Sequence, residues 1–144
     1  MTDDFEQHLC ECYRERRSVE APPQISKRLK AVYRLLSRNP IPSEPGDYLL
    51  VVKKGDAPFW FRLDDAEATI GRFPDCSLTL DHESISGKHL SIYPKQPFRM
   101  LIDNKSTNGV YVNGERTPEH HLHDGDAIQL GPYLLVFARS GGLE

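Results

Sequence analysis

From Tyr48 onward the chain is a succession of short apolar runs broken by turn residues about every 8–12 positions, which leaves room for strands and little else. The runs predict strands over 48–53, 59–63, 68–71, 78–80, 89–93, 99–103, 110–112, 127–130 and 133–138. Turn chemistry lies between them at Gly55-Asp56, Asp75-Cys76, Asn108-Gly109, Asn113-Gly114, Asp124-Gly125 and Gly131-Pro132. Many short strands with frequent Gly, Asn and Asp turns pack as an antiparallel β-sandwich.

The first third of the chain differs. Residues 3–38 contain no glycine, and Phe5, Leu9, Cys10 and Tyr13 recur at helical spacing. Pro22-Pro23 interrupts that pattern, because proline suits only the first turn of a helix. A second helix is predicted from Pro23 to Arg38, with Ile25, Leu29, Val32, Tyr33 and Leu36 on its apolar side and Lys27, Arg28, Lys30, Arg34 and Arg38 as its charge. The acidic residues of the first helix and the basic residues of the second predict a two-helix hairpin. The expected organisation is a helical appendage over 1–39, a proline-rich semi-rigid linker over 40–47, the sandwich over 48–138 and a flexible tail over 139–144.

Composition excludes several classes. A net charge of −3 does not suit a general nucleic-acid binder, which needs a basic surface. No apolar run approaches the roughly 18–20 residues of a membrane span. The acidic start Met1-Thr2-Asp3-Asp4 is no secretory signal, so a cytoplasmic setting is expected. Cys10, Cys12 and Cys76 fit neither a disulfide framework nor a four-ligand zinc set and are read as reduced thiols.

Three polar segments stand where strands turn into loops: Gly71-Arg72, Ser86-Gly87-Lys88-His89 and Ser106-Thr107-Asn108-Gly109. Together they offer a guanidinium, an ammonium, hydroxyls, a side-chain amide and backbone N–H groups, which suit a phosphate dianion. Taken alone, each has an ordinary explanation. Arg72 is an edge arginine, His89 is a buried histidine that ties two loops, and Asn108-Gly109 is a common hairpin turn.

The ordered set carries more. Ile70-Gly71-Arg72, Ser86-x-x-His89, Ser106-Thr107-Asn108-Gly109-Val110-Tyr111-Val112-Asn113-Gly114 and Gly125-Asp126-x-Ile128-x-Leu130-Gly131 resemble the forkhead-associated (FHA) domain over about residues 48–138. The resemblance implies a sandwich of about eleven strands that binds phosphothreonine peptides through loops at one end. It implies that Arg72 and Ser86 hold the phosphate, that Thr107 and Lys88 assist, and that Asn108 grips the peptide main chain. Gly71, His89, Gly109 and Asn113 would shape the loops. After Ser86 the family commonly has Arg or Asn; here Gly87 removes that side chain, and Lys88 stands beside it as a hydrated point charge.

The function expected is a phosphothreonine-peptide binding module downstream of a Ser/Thr protein kinase, with no catalysis, cofactor, nucleic acid or membrane span. The alternative is a phospho-independent structural or oligomerising module that uses the sandwich surface and the N-terminal helices, which would also serve as a second docking or self-association surface. His120, His121 and His123 are read as a solvent-exposed loop, not a metal site, and Ser86, His89 and Asp103 as no hydrolase triad, since no nucleophile elbow accompanies them.

Overall fold

A computed structural model describes residues 27–141, so the first predicted helix, and with it the hairpin, lies outside the described residues. Helix α1 (Lys27–Arg38) precedes eleven strands. These are β1 (Gly46–Lys53), β2 (Phe59–Leu63), β3 (Ala68–Gly71), β4 (Leu78–Thr79), β5 (Leu90–Lys95), β6 (Phe98–Asp103), β7 (Tyr111–Val112), β8 (Glu115–Arg116), β9 (Glu119–Leu122), β10 (Ala127–Leu130) and β11 (Tyr133–Ser140). They form two sheets, ordered β2-β1-β11-β10-β7-β8 and β4-β3-β5-β6-β9. The fold is the expected sandwich, with one departure: β3 and β4 pair in parallel, Ile70 opposite Leu78.

The facing sheets enclose the main core, in which Leu49, Ile70, Leu90, Ile92, Leu101, Leu122, Ile128 and Leu135 are fully buried. β1 and β11 are apolar without alternation because both of their faces are covered. Leu49 and Val51 of β1, with Leu135 and Phe137 of β11, point into the main core. Leu50 and Val136, with Val52 and Leu134, face outward and meet Val32, Leu35 and Leu36 of α1. The helix thus lays its i, i+3, i+4 stripe on the outer face of the six-stranded sheet and keeps Lys30, Arg34 and Arg38 in solvent. Asn39 ends it, donating from both its backbone N–H and its Nδ2 to the Leu35 carbonyl, and Pro40 follows.

Two segments read otherwise in the sequence are strands. β8 and β9 carry almost no apolar residues: Glu115 and Arg116 are exposed, and of Glu119–Leu122 only Leu122 is buried. They are edge strands held by backbone pairing to β7 and β6, so hydrophobic patterning does not mark them. β11 also runs on through Arg139 and Ser140, into the segment read as a tail.

That extension has a purpose at the end of the sandwich where β1 begins. Asp47 of β1, nearly buried, accepts from Arg99 Nε of β6 at 2.6 Å and from Arg139 Nε and Nη2 of β11 at 2.7 and 3.1 Å. Arg99 also donates to the Asp64 carbonyl and Arg139 to the Pro97 carbonyl. One carboxylate therefore ties both sheets and two turns together.

Candidate functional site

At the opposite end, three loops converge: β3–β4 after Gly71, β4–β5 from Leu80 to His89, and β6–β7 from Asn104 to Val110. Buried Leu80 and Ile85 pin the middle loop to the core. Its backbone then pairs with the first loop. Arg72 N–H donates to the Ser86 carbonyl at 3.0 Å, Phe73 N–H to the Gly87 carbonyl at 3.1 Å and His89 N–H to the Ile70 carbonyl at 2.9 Å.

This pairing explains Gly71. Its φ is not in the left-handed region; what it supplies is space, since a Cβ there would lie 2.8 Å from both the Gly87 carbonyl carbon and the His89 nitrogen and closer still to the Gly87 oxygen. Gly109 has the other reason, a φ of +85°.

His89 joins the middle and third loops. It is fully buried; its Nδ1 accepts the Ser86 N–H at 3.0 Å and its Nε2 lies 2.8 Å from the Gly109 carbonyl. An Nδ1 that accepts requires the proton on Nε2, so the two bonds define one neutral tautomer. His89→Ala strands two buried backbone groups, and a loss of about 2–4 kcal/mol is expected in urea unfolding.

The third loop is held from both sides. Ser106 Oγ accepts Gly109 N–H, Asp103 Oδ1 accepts Ser106 N–H, and Thr107 N–H donates to Ser86 Oγ at 3.1 Å. Asn108 Nδ2 donates to the Ser84 carbonyl at 2.9 Å. Asn108 is therefore a bridge between loops and not the hairpin turn its sequence suggests. The left-handed Asn-Gly pair is Asn113-Gly114, with φ of 52° and 91°, between β7 and β8.

Arg72, Ser86, Lys88, Thr107 and Asn108 are thus brought to one end of the sandwich, with Gly71, His89 and Gly109 beneath them. Arg72 is exposed, and its Nε donates to the Ile85 carbonyl at 3.0 Å, which steadies the guanidinium and leaves the Nη donors outside that bond. Lys88 and Thr107 are also exposed. Asn113 does not join this group. It lies at the other end, where its Oδ1 accepts Ala127 N–H and its Nδ2 donates to Asp126. Ser86, His89 and Asp103 form no relay, because His89 spends both nitrogens on backbone groups and Asp103 accepts from Ser106.

The histidines need a correction. His120 and His121 lie on β9, not in a loop, and a carboxylate is in reach: His120 Nε2 stands 2.9 Å and His123 Nδ1 4.0 Å from Asp126 Oδ2. The β9–β10 turn brings Asp126 back to them. The same carboxylate also accepts His123 N–H and Asn113 Nδ2, so its acceptors are committed to holding two turns.

Sequence reasoning missed Phe73. An apolar residue after Arg72 carries no phosphate signal, yet its ring stands in solvent beside Gly87.

Residues 68–131 match the family model of the FHA domain. Glycogen accumulation regulator GarA of Mycobacterium tuberculosis (strain H37Rv) is 39% identical over 94 residues, covering 65% of this chain and 58% of GarA. The oxoglutarate dehydrogenase inhibitor of Corynebacterium glutamicum is 38% identical over 93 residues, covering 64% of this chain and 65% of the inhibitor. The chain therefore spans less than two thirds of the length of these relatives. Among solved structures, the FHA domain of FhaA in complex with the intracellular domain of Rv3910 aligns with a TM-score of 0.59 and 29% identity, over 64% of this chain and 99% of that one. A chain from a structural and functional analysis of phosphothreonine-dependent FHA domain interactions aligns with a TM-score of 0.59 and 28% identity, over 65% and 98%.

Proposed function

Since this chain carries an FHA domain, we propose that it binds phosphothreonine peptides and so recruits or scaffolds a protein phosphorylated by a Ser/Thr kinase. The observation that carries this is the convergence of Arg72, Ser86 and Thr107 at one end of a rigid frame, each anchored to a neighbouring loop. The likeness to a chain from work on phosphothreonine-dependent FHA interactions supports it.

The chemistry follows from the inventory. A phosphothreonine carries about −1.5 to −2 charges and three acceptor oxygens. Arg72 offers its Nη fork, which suits two parallel charged hydrogen bonds. Ser86 Oγ accepts from Thr107 N–H and keeps its own proton to donate to a phosphate oxygen. The Thr107 hydroxyl and the Lys88 ammonium add donors at the same rim. Asn108 commits one amide hydrogen to Ser84 and keeps the other, with Oδ1, for a peptide main chain. The loops are fixed before the ligand arrives, so little ordering cost falls on the domain. Binding of this kind needs no cofactor and breaks no bond.

The alternative, assembly through the helices without phosphate, gains less support. Val32, Leu35 and Leu36 of α1 are packed on the six-stranded sheet and are not presented to a second copy. No helix among the described residues is long and apolar enough to cross a membrane. Protein kinases draw on ATP, so the proposed setting is the cytoplasm.

Fluorescence polarisation against a phosphothreonine peptide library, with phosphoserine and unphosphorylated versions alongside, tests the reading. Binding to phosphothreonine peptides is expected, with phosphoserine weaker by about fivefold, because a missing methyl costs about 1 kcal/mol. Equal binding of the unphosphorylated set would overturn it.

A further inference from the structure

Gly87 and Phe73 form one surface. Phe73 is 47% exposed although its backbone is held on both sides. Its N–H donates to the Gly87 carbonyl, and its own carbonyl accepts Cys76 N–H at 3.1 Å and Thr79 Oγ1 at 3.2 Å. Cys76 Sγ also donates to the Gly87 carbonyl, at 3.3 Å, so the two loops are cross-tied beneath the ring. The tip of the ring rests over Gly87: a Cβ at that position would lie 2.6 Å from Cε1 and Cε2 of Phe73. The ring therefore occupies the space a side chain at 87 would take. It follows Arg72 in the chain, and Gly87 follows Ser86, so this apolar face is continuous with the residues assigned to the phosphate.

An exposed aromatic ring fixed by its backbone is a poor use of surface unless something covers it, since its burial would recover apolar area at no further cost in backbone order. We propose that the Phe73 ring, seated on Gly87, is a specificity determinant that selects an apolar side chain flanking the phosphothreonine. This rests on the phosphate reading above. The phosphate on Arg72 and Ser86 fixes the register of the peptide, and a neighbouring side chain of that peptide lies against the ring. An acidic or small polar residue at the same position gains nothing there.

The test uses phosphothreonine peptides in which each flanking position is varied among Ser, Asp, Lys, Leu and Phe, read by fluorescence polarisation with the parent, Phe73→Ala and Phe73→Leu. The parent is expected to favour Leu or Phe at one position by about five- to tenfold over Ser or Asp. Phe73→Ala should flatten that preference to less than about twofold while still binding phosphorylated peptides over unphosphorylated ones, and Phe73→Leu should keep most of it. Equal urea midpoints for the three proteins would establish that the loops are intact. An undiminished preference in Phe73→Ala, or a parent that binds phosphothreonine with no apolar preference, would overturn the role of Phe73 alone. A folded parent that binds no phosphothreonine peptide would overturn the phosphate reading and this inference with it.

Discussion

Arg72→Ala is expected to weaken phosphothreonine-peptide binding by about a hundredfold or more, since charged hydrogen bonds to a phosphate contribute on the order of 3 kcal/mol. The fold should survive. Arg72 is exposed, and its side chain makes one bond to the protein, from Nε to the Ile85 carbonyl, while the loop pairing runs through its backbone N–H. Titration with peptide and a urea melt on the same protein separate the two effects. A variant that melts like the parent and binds like it would remove Arg72 from the phosphate site. Arg72→Lys should recover only part of the loss, because an ammonium cannot reproduce the two-pronged fork.

The largest effect on stability is expected at Asp47. Asp47→Asn leaves Arg99 and Arg139 facing a neutral amide, one of them nearly buried, and should cost about 3–5 kcal/mol, towards the lower figure because Arg139 is partly in solvent. That is a large share of the roughly 5–15 kcal/mol that holds a domain of this kind together. The pH dependence follows from the same contacts. Burial disfavours the charged form of Asp47, but hydrogen bonds and charge from Arg139, then Arg99, outweigh it and hold the carboxyl below its ordinary range. A carboxyl depressed on folding contributes its full stabilisation above its unfolded value, near pH 4, and loses it as the pH falls through the folded value. The parent should therefore lose stability below about pH 4 more steeply than Asp47→Asn, as read by urea midpoints across that range.

What the sequence made legible follows from how local each signal is. The central strands announce themselves because burial on both faces requires continuous apolar runs, as in Leu49–Val52 and Leu134–Phe137. The loop residues Arg72, Ser86, Thr107 and Asn108 stood out as a set because their polar side chains interrupt that pattern. β8 and β9 did not, since they pair as edge strands with only Leu122 between them buried in the core, which is too little to leave a trace in side-chain hydrophobicity. The Asp47 cluster was out of reach for another reason: its partners lie 52 and 92 residues away, so only closure of the sandwich brings the charges together. Asn108 and Asn113 show the limit of a turn dipeptide. Both precede glycine, yet one makes a hairpin and the other spans two loops.

The register of β1 and β11 has a mechanical consequence. The two strands pair along their whole length, with Gly46 opposite Ser140, at the end of the sandwich remote from the three loops. The polypeptide therefore enters and leaves the sandwich side by side at its back. Segments joined at either point start about 25 Å, the length of an eight-residue strand, behind the front rim. Tension between the two attachment points would act in a zipper geometry, opening the β1–β11 ladder one pair at a time. The Gly46–Ser140 pair and the Asp47 cluster would take the strain first, before it reached the loops.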